Sequence, residues 1–210
     1  GKSTLINLIP RFFDVTDGAI RIGNIDIRDV KQHDLRNRIG YIPQKATLFS
    51  GTIESNLRYA DENATDSTIE NALEVSQAKE FVSKMPSGIE EPISQGGTNV
   101  SGGQKQRLSI ARALVKNADI YIFDDTFSAL DYHTDALLRE ALNKMVKEKH
   151  STVFIVAQRI SSIMHADKII VLDQGKIVGN GTHAELMKNC PVYQEIAYSQ
   201  LSRKELAVNE

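Results

Sequence analysis

Two stretches of the chain combine residue types that can hold an anion and a metal ion. The first, VSGGQKQRLSIARAL, starts at Val100. Ser101, followed three residues on by Gln104, has the form of a capping box with a hydroxyl at N-cap and an amide at N3. Gly102 and Gly103 let a ligand approach the backbone closely, and a helix N-terminus attracts anions through its unpaired N–H groups and dipole. Behind this turn Leu108, Ala111 and Leu114 are expected on one apolar face, with Lys105, Gln106 and Arg107 elsewhere. The second stretch, IYIFDD at 120–125, is an apolar run closed by Asp124 and Asp125. It reads as a buried parallel strand that delivers two carboxylates to the carboxyl edge of a sheet, where α/β proteins bind ligands. Either stretch alone is equally the mark of an ordinary capped helix or core strand. The opening GKST narrows the choice, since it forms the end of the phosphate-binding pattern G-x-x-x-x-G-K-[ST].

GKST at 1–4, YIPQ at 41–44, VSGGQ at 100–104, IYIFDD at 120–125, SALD at 128–131 and VAQR at 156–159 span almost the whole chain. In this order they resemble the nucleotide-binding domain of ATP-binding-cassette (ABC) transporters. The resemblance implies an α/β P-loop NTPase core with a mainly parallel sheet, an antiparallel β-element and an inserted helical subdomain. It implies ATP and Mg²⁺ as ligands, and a second cassette as partner, with two nucleotides sandwiched head to tail. Gly1, Lys2, Ser3 and Thr4 would face the phosphates, Lys2 at the β- and γ-phosphates and Ser3 on Mg²⁺. Gln44 and Asp124 would complete the metal set, Asp124 through water. Ser101, Gly102, Gly103 and Gln104 would serve the nucleotide of the partner chain. Ser128, Ala129, Leu130 and Asp131 would form the loop that meets the partner.

The chemistry is expected from Asp125, Gln158 and Gln44, and here the sequence departs from the family pattern. Asp125 stands where the family usually carries glutamate as general base, and is one methylene shorter. Gln158 stands where the family carries a histidine; an amide can still hydrogen-bond a γ-phosphate, but it neither bears charge nor shuttles a proton. One reading is a competent ATPase with tolerated variants. The other is a degenerate site that binds ATP and turns it over slowly, beside a nearly unaltered signature turn. That combination resembles one half of a heterodimeric exporter, and the wording LFSGTIESNL and SQGGTNVSGGQ looks exporter-like. A soluble cassette ATPase without membrane domains and a purely regulatory nucleotide-binding module remain as alternative classes.

Several elements must position these groups. Lys2 to Thr4 should start a helix with Leu5, Leu8 and Ile9 apolar, ended by Pro10. Ile20, Ile22, Ile25 and Ile27 alternate about Gly23-Asn24, a hairpin signal. Residues 39–42 read as a strand stopped by Pro43. From 46 to 99 the pattern is one of short helices, Thr52 capping one and Ser67 with Glu70 boxing another, and Pro86 to Gly97 reads as loop. A helix is expected over 134–146 with Leu137, Leu138, Ala141, Leu142 and Met145 inside, then a second buried strand at 152–156. A hairpin about Asp173-Gln174-Gly175, a helix boxed by Thr182 and Glu185, and a helical or frayed tail follow. The expected division is a core at 1–45 and 116–190, a helical and signature part at 46–115, and a tail at 191–210.

The 210 residues suffice for one domain with a subdomain, and 41% hydrophobic with 25% charged residues is ordinary globular composition. A net charge of −2 gives no support for nucleic acid as the partner. The single cysteine, Cys190, excludes an intramolecular disulfide and fits a reducing compartment. No apolar run approaches the roughly 18 residues that cross a bilayer. Since the chain opens inside a phosphate loop, it reads as a fragment, with the preceding strand and an adenine-stacking aromatic upstream of Gly1. The resemblance then implies attachment to the cytoplasmic face of a membrane through a transmembrane domain outside this chain.

Overall fold

The computed structural model describes residues 1–201; the tail expected beyond them, 202–210, lies outside the described residues. α1 (Lys2–Asn7) starts at Gly1 and ends before Pro10 is reached. It buries Ile6 while Leu5 stays exposed, against the expected apolar face, because a helix of under two turns can offer little more than one side chain to the sheet below it. β1 (Arg21–Ile22) and β2 (Ile25–Asp26) form the expected hairpin, with Ile22 opposite Ile25. α2 (Gln32–Asn37) has no sequence signal at its start, since its N-cap is Lys31 and no side chain caps it. β3 (Ile39–Ile42) then runs to Pro43.

The segment that follows is mostly helical. β4 (Gly51–Thr52) leads into α3 (Ile53–Arg58), which Thr52 and Ser55 cap reciprocally. α4 (Asp66–Val75) is capped by Thr65 through the Thr68 N–H, not by Ser67. Thr65 has the extended backbone an N-cap needs, and Ser67 already lies in the first turn. α5 (Lys79–Ser83) precedes β5 (Pro92–Ile93), which pairs antiparallel with β4 where only loop was expected. Pro92 is tolerated there as the first residue of a strand. α6 (Gly102–Val115) has the predicted box: Ser101 Oγ accepts from Gln104 N at 3.2 Å, and Gln104 Oε1 accepts from Ser101 N at 2.9 Å. Gln106, placed off the Leu108–Ala111–Leu114 face, is itself buried at 2% exposure. α6 is covered by α3 and α4 on one side and by β3 on another, so it has no fully solvated face for a polar residue.

β6 (Ile120–Asp124) is buried at every position. α7 (Tyr132–Lys149) is longer than expected because Asp131 caps it through the Thr134 N–H. Leu138, Leu142 and Met145 face inward, but Leu137 is 39% exposed, one position off the buried stripe. β7 (Thr152–Val156) completes a parallel sheet in the order β3–β6–β7. Among the described residues it pairs only with β6, and it is half-exposed, with Phe154 open to solvent, where a buried strand was expected. β8 (Ile169–Asp173) and β9 (Lys176–Gly181) form the second hairpin, with Gln174 and Gly175 both at positive φ in the two-residue turn. α8 (His183–Asn189) has its Thr182–Glu185 box. α9 (Pro191–Gln200) packs through Tyr193 and Ala197 against β8 and Cys190.

The register of the parallel sheet matters most for function. Ile42 pairs with Phe123, and Phe123 with Ile155. The residues just beyond these positions therefore leave the same sheet edge together: Gln44, Asp125 and Gln158. The close fit of β3 on β6 gives a first test. A Cβ on Gly40 would stand 2.6 Å from Tyr121 Cδ1 and 3.1 Å from Ala113 O. The Tyr121 ring is fully buried and held by a 3.0 Å bond from Ala118 N to its hydroxyl, so it has nowhere to move. Gly40→Ala should cost about 1–3 kcal/mol as an overpacked core, read as a lower denaturation midpoint at unchanged slope.

Candidate functional site

Ser3 lies in the first turn of α1, which packs against β6 and β7. Its hydroxyl donates to Asp124 Oδ1 at 2.8 Å. Asp124, the last residue of β6, is buried at its strand end. Tyr41 on β3 stands beside it, donating its own hydroxyl to Asn7 Oδ1 at 2.8 Å. Burial, with the Asp124 charge added, pushes that phenol up to about 12, so it remains a neutral donor. Asn7 carried no signal in the sequence, and Tyr41 stood in the YIPQ stretch without a role assigned to it.

One residue on, the backbone turns sharply. Asp125 adopts φ 47 and ψ 32, left-handed geometry that aspartate tolerates better than most residues and that clusters at functional sites. Its N–H still donates to Val156 O at 3.0 Å, continuing the ladder to β7. The turn brings its carboxylate between the two amides from the neighbouring strands. Gln158 Nε2 donates to Asp125 Oδ2 at 2.7 Å, and Gln44 Nε2 donates to the same oxygen at 3.2 Å. Ser128 Oγ donates to Asp125 O at 2.8 Å and braces the turn. A cavity of about 470 Å³ opens against this group, lined by Asp125, Phe127, Ser128, Gln158, Arg159 and Gln200 among others.

Thus Ser3 meets Asp124, and Gln44 meets Asp125 and Gln158. Lys2 and Thr4 are exposed, and Lys2 forms no ion pair among the described residues. Gly1 serves as N-cap of α1, its carbonyl accepting from Leu5 N at 3.0 Å. The signature turn makes no hydrogen bond to any of these groups. Ser101 and Gly102 face solvent. A Cβ on Gly102 would meet nothing within 4 Å, and one on Gly103 only Ala129 O at 3.8 Å. Of the expected partner-facing loop, Leu130 is buried in this chain's own core and Asp131 caps α7.

The donor set fits Mg²⁺. Ser3 offers a hydroxyl, Asp124 a carboxylate, and Gln44 a side-chain carbonyl left free when its nitrogen binds Asp125, all hard oxygen ligands. No cluster of three His, Cys, Asp or Glu able to hold a metal occurs among the described residues.

Residues 1–128 match the family described as ABC transporter. The chain is 47% identical over 203 residues to an uncharacterized ABC transporter ATP-binding protein of Mycobacterium bovis, covering 95% of this chain and 34% of that protein. It is 46% identical to a candidate multidrug export ATP-binding/permease protein of Bacillus subtilis, covering 89% of this chain and 32% of that one. Among solved structures it resembles a bacterial Atm1-family ABC exporter with ATP bound, at TM-score 0.92 and 35% identity, over 97% of this chain and 35% of the other. The chain therefore spans about a third of the length of the curated relatives it matches.

The Ser3–Asp124 pair gives the second test. Ser3→Ala removes the hydroxyl and leaves Asp124 Oδ1 without its donor. The Mg²⁺ concentration for half-maximal ATP binding should rise at least about tenfold, followed by titrating Mg²⁺ against a fluorescent ATP analogue. Ser3→Thr, which keeps a hydroxyl, should stay near wild type.

Proposed function

The chain belongs to the ABC transporter family, and from that premise we propose that it is the ATP-binding cassette of an exporter whose own site hydrolyses ATP slowly. The observation that carries this reading is the convergence of two amides on one oxygen of Asp125. A general base takes a proton from water through an oxygen with a free lone pair. A carboxylate oxygen has two, and here Gln44 and Gln158 engage both on Oδ2. The short aspartate side chain holds the remaining oxygen close to the strand end, and a misplacement of about 1 Å can cost on the order of a hundredfold in rate. Ser3, Gln44 and Asp124 are assigned to Mg²⁺, which when bound neutralises phosphate charge. Lys2, with Gly1 and Thr4 beside it, is assigned to the phosphates.

The signature turn is assigned to a second cassette. Gly102 and Gly103 have no positive φ, and nothing among the described residues crowds either position. Their small size is thus not required by the chain's own fold; it suits a backbone that an outside group approaches closely. Ser101 Oγ and the first N–H groups of α6 then act as donors to that partner's γ-phosphate. Residues 46–115 form the helical subdomain in this reading, facing a membrane domain. Phe49 and Tyr59, 45% and 70% exposed with ring centroids 4.7 Å apart, provide an apolar patch there. The assembly would sit on the cytoplasmic face of a membrane, the partner being a different cassette with a consensus site.

Two measurements follow. In the intact transporter, with the partner's own base disabled, Asp125→Glu combined with Gln158→His should raise phosphate release at this site roughly a hundredfold. Unchanged turnover would remove the slow-site reading. With both sites active, Gly102→Asp should nearly abolish steady-state phosphate release, since donors aimed at developing charge are worth about 2.7–4 kcal/mol, whereas Lys2→Ala should cause only partial loss. Equal severity of the two variants would mean equivalent sites; a harmless Gly102→Asp would mean that the turn serves no nucleotide of another chain.

A further inference from the structure

We propose that Gln200, in the last turn of α9, is a positioning residue for Gln158, so that the C-terminal helix governs how this site holds the γ-phosphate. The inference rests on the reading of this site as a nucleotide site, in which one Gln158 Nε2–H is held by Asp125 and the other is left for the γ-phosphate.

The loop after β7 carries Gln158 but has no backbone ladder of its own at that point. Two side chains from other elements hold it. Gln200 Nε2 donates to Gln158 O at 2.9 Å, and Gln200 Oε1 accepts from Ile160 N at 2.8 Å. One amide thus brackets Arg159, binding the carbonyl before it and the N–H after it, as an adjacent strand would. From the other side Arg139 on α7 donates to Ser161 O at 2.6 Å and to Ser162 Oγ at 3.2 Å. Arg139 is itself fixed by Asp135, which is buried, and its guanidinium lies 5.3 Å from the centre of the Phe127 ring.

The two grips differ in where they act. Arg139 holds the short 3-10 turn at 160–162, downstream of Gln158. Gln200 binds the Gln158 carbonyl itself. The Gln158 side chain reaches Asp125 Oδ2 at 2.7 Å only while its backbone keeps this place. Gln200, Gln158 and Asp125 also line the same cavity. α9 is a firm base for the bracket, because Tyr193 and Ala197 bury it against β8 and Leu186 of α8. No other side chain among the described residues hydrogen-bonds the Gln158 carbonyl. Losing Gln200 would leave that carbonyl and the Ile160 N–H to water, and the loop free to carry the Gln158 amide away from Asp125.

A residue that merely finishes a helix would not discriminate between nucleotides, and that difference supplies the test. ATP and ADP affinities are measured for this cassette in the intact transporter, with the partner's site blocked, for Gln200→Ala, Gln158→Ala and the double variant. Gln200→Ala should weaken ATP about tenfold and leave ADP, which has no γ-phosphate, unchanged. Gln158→Ala should do the same, and the double variant should lose no more than either single one. If Gln158→Ala is selective for ATP but Gln200→Ala is not, the positioning role is overturned while the assignment of Gln158 stands. If Gln158→Ala shows no selectivity, that assignment fails and the inference with it. Should Gln200→Ala unfold, Gln200→Glu decides in its place: it keeps the acceptor for Ile160 and loses the donor to Gln158, so an ATP affinity equal to wild type would overturn the proposal.

Discussion

The pairing of three parallel strands in one register is the constraint on which the site depends. Each of β3, β6 and β7 ends near the same edge, and each places one polar side chain just beyond its last ladder position. Shift β3 by one residue against β6 and Gln44 would exchange places with Pro43 or Lys45, pointing to the opposite face. The fit of Gly40 on Tyr121 resists that shift, because any larger residue at the contact would strike the ring. Packing below the edge therefore fixes chemistry above it. The buried hydroxyl of Tyr121, bonded to Ala118 N, is part of that packing and touches none of the functional groups.

The second half of the design stands apart from this edge. α6 begins with an open first turn, closed only by its own Ser101–Gln104 box, while its body is among the most buried parts of the molecule. A deeply anchored helix with an open first turn holds its N–H groups in fixed directions without any ligand from the same chain. Such preorganisation is what an electrostatic contribution to catalysis needs. The arrangement makes sense if the ligand arrives on another molecule. Ser128 links the two halves: it braces the turn at Asp125, and Ala129 next to it lies beside Gly103. A partner seated on the signature turn would then lie close to the segment that carries Asp125.

Much of this was legible in the sequence because local rules decide it. The boxes at Ser101–Gln104 and Thr182–Glu185, the two hairpins and the strand ending in Asp124 and Asp125 all follow from contacts within a few residues. What was not legible depends on distant neighbours. Leu137 is exposed against expectation, and Gln106 is buried off the predicted apolar face, because of which helices cover them. β5 exists only because β4 lies beside it, and its first residue is a proline that argues for loop. Thr65 and Ser67 are equally good caps on paper, and the turn before α4 chooses between them. Gln200 reaches the site from a helix, 42 residues beyond Gln158, and carries no motif, while Tyr41 stands in the YIPQ stretch with no role of its own assigned.

The two departures from the family pattern are best understood as one unit. A glutamate at 125 would carry its carboxylate a methylene further from the strand end, past the point where the Gln44 and Gln158 amides now meet it. A histidine at 158 could offer one ring N–H to that carboxylate, but it would bring a titratable group beside it. The amide at 158 gives a hydrogen bond of 2.7 Å to Asp125 without a proton to lose. Aspartate and glutamine together thus close into a neutral-donor clamp on a fixed carboxylate, which suits holding better than proton transfer. Restoring only one member would leave the other mismatched, either an extended carboxylate short of its amide or an imidazole facing a carboxylate that does not reach. The energetic effects of the two positions should therefore be coupled, as expected for side chains in direct contact.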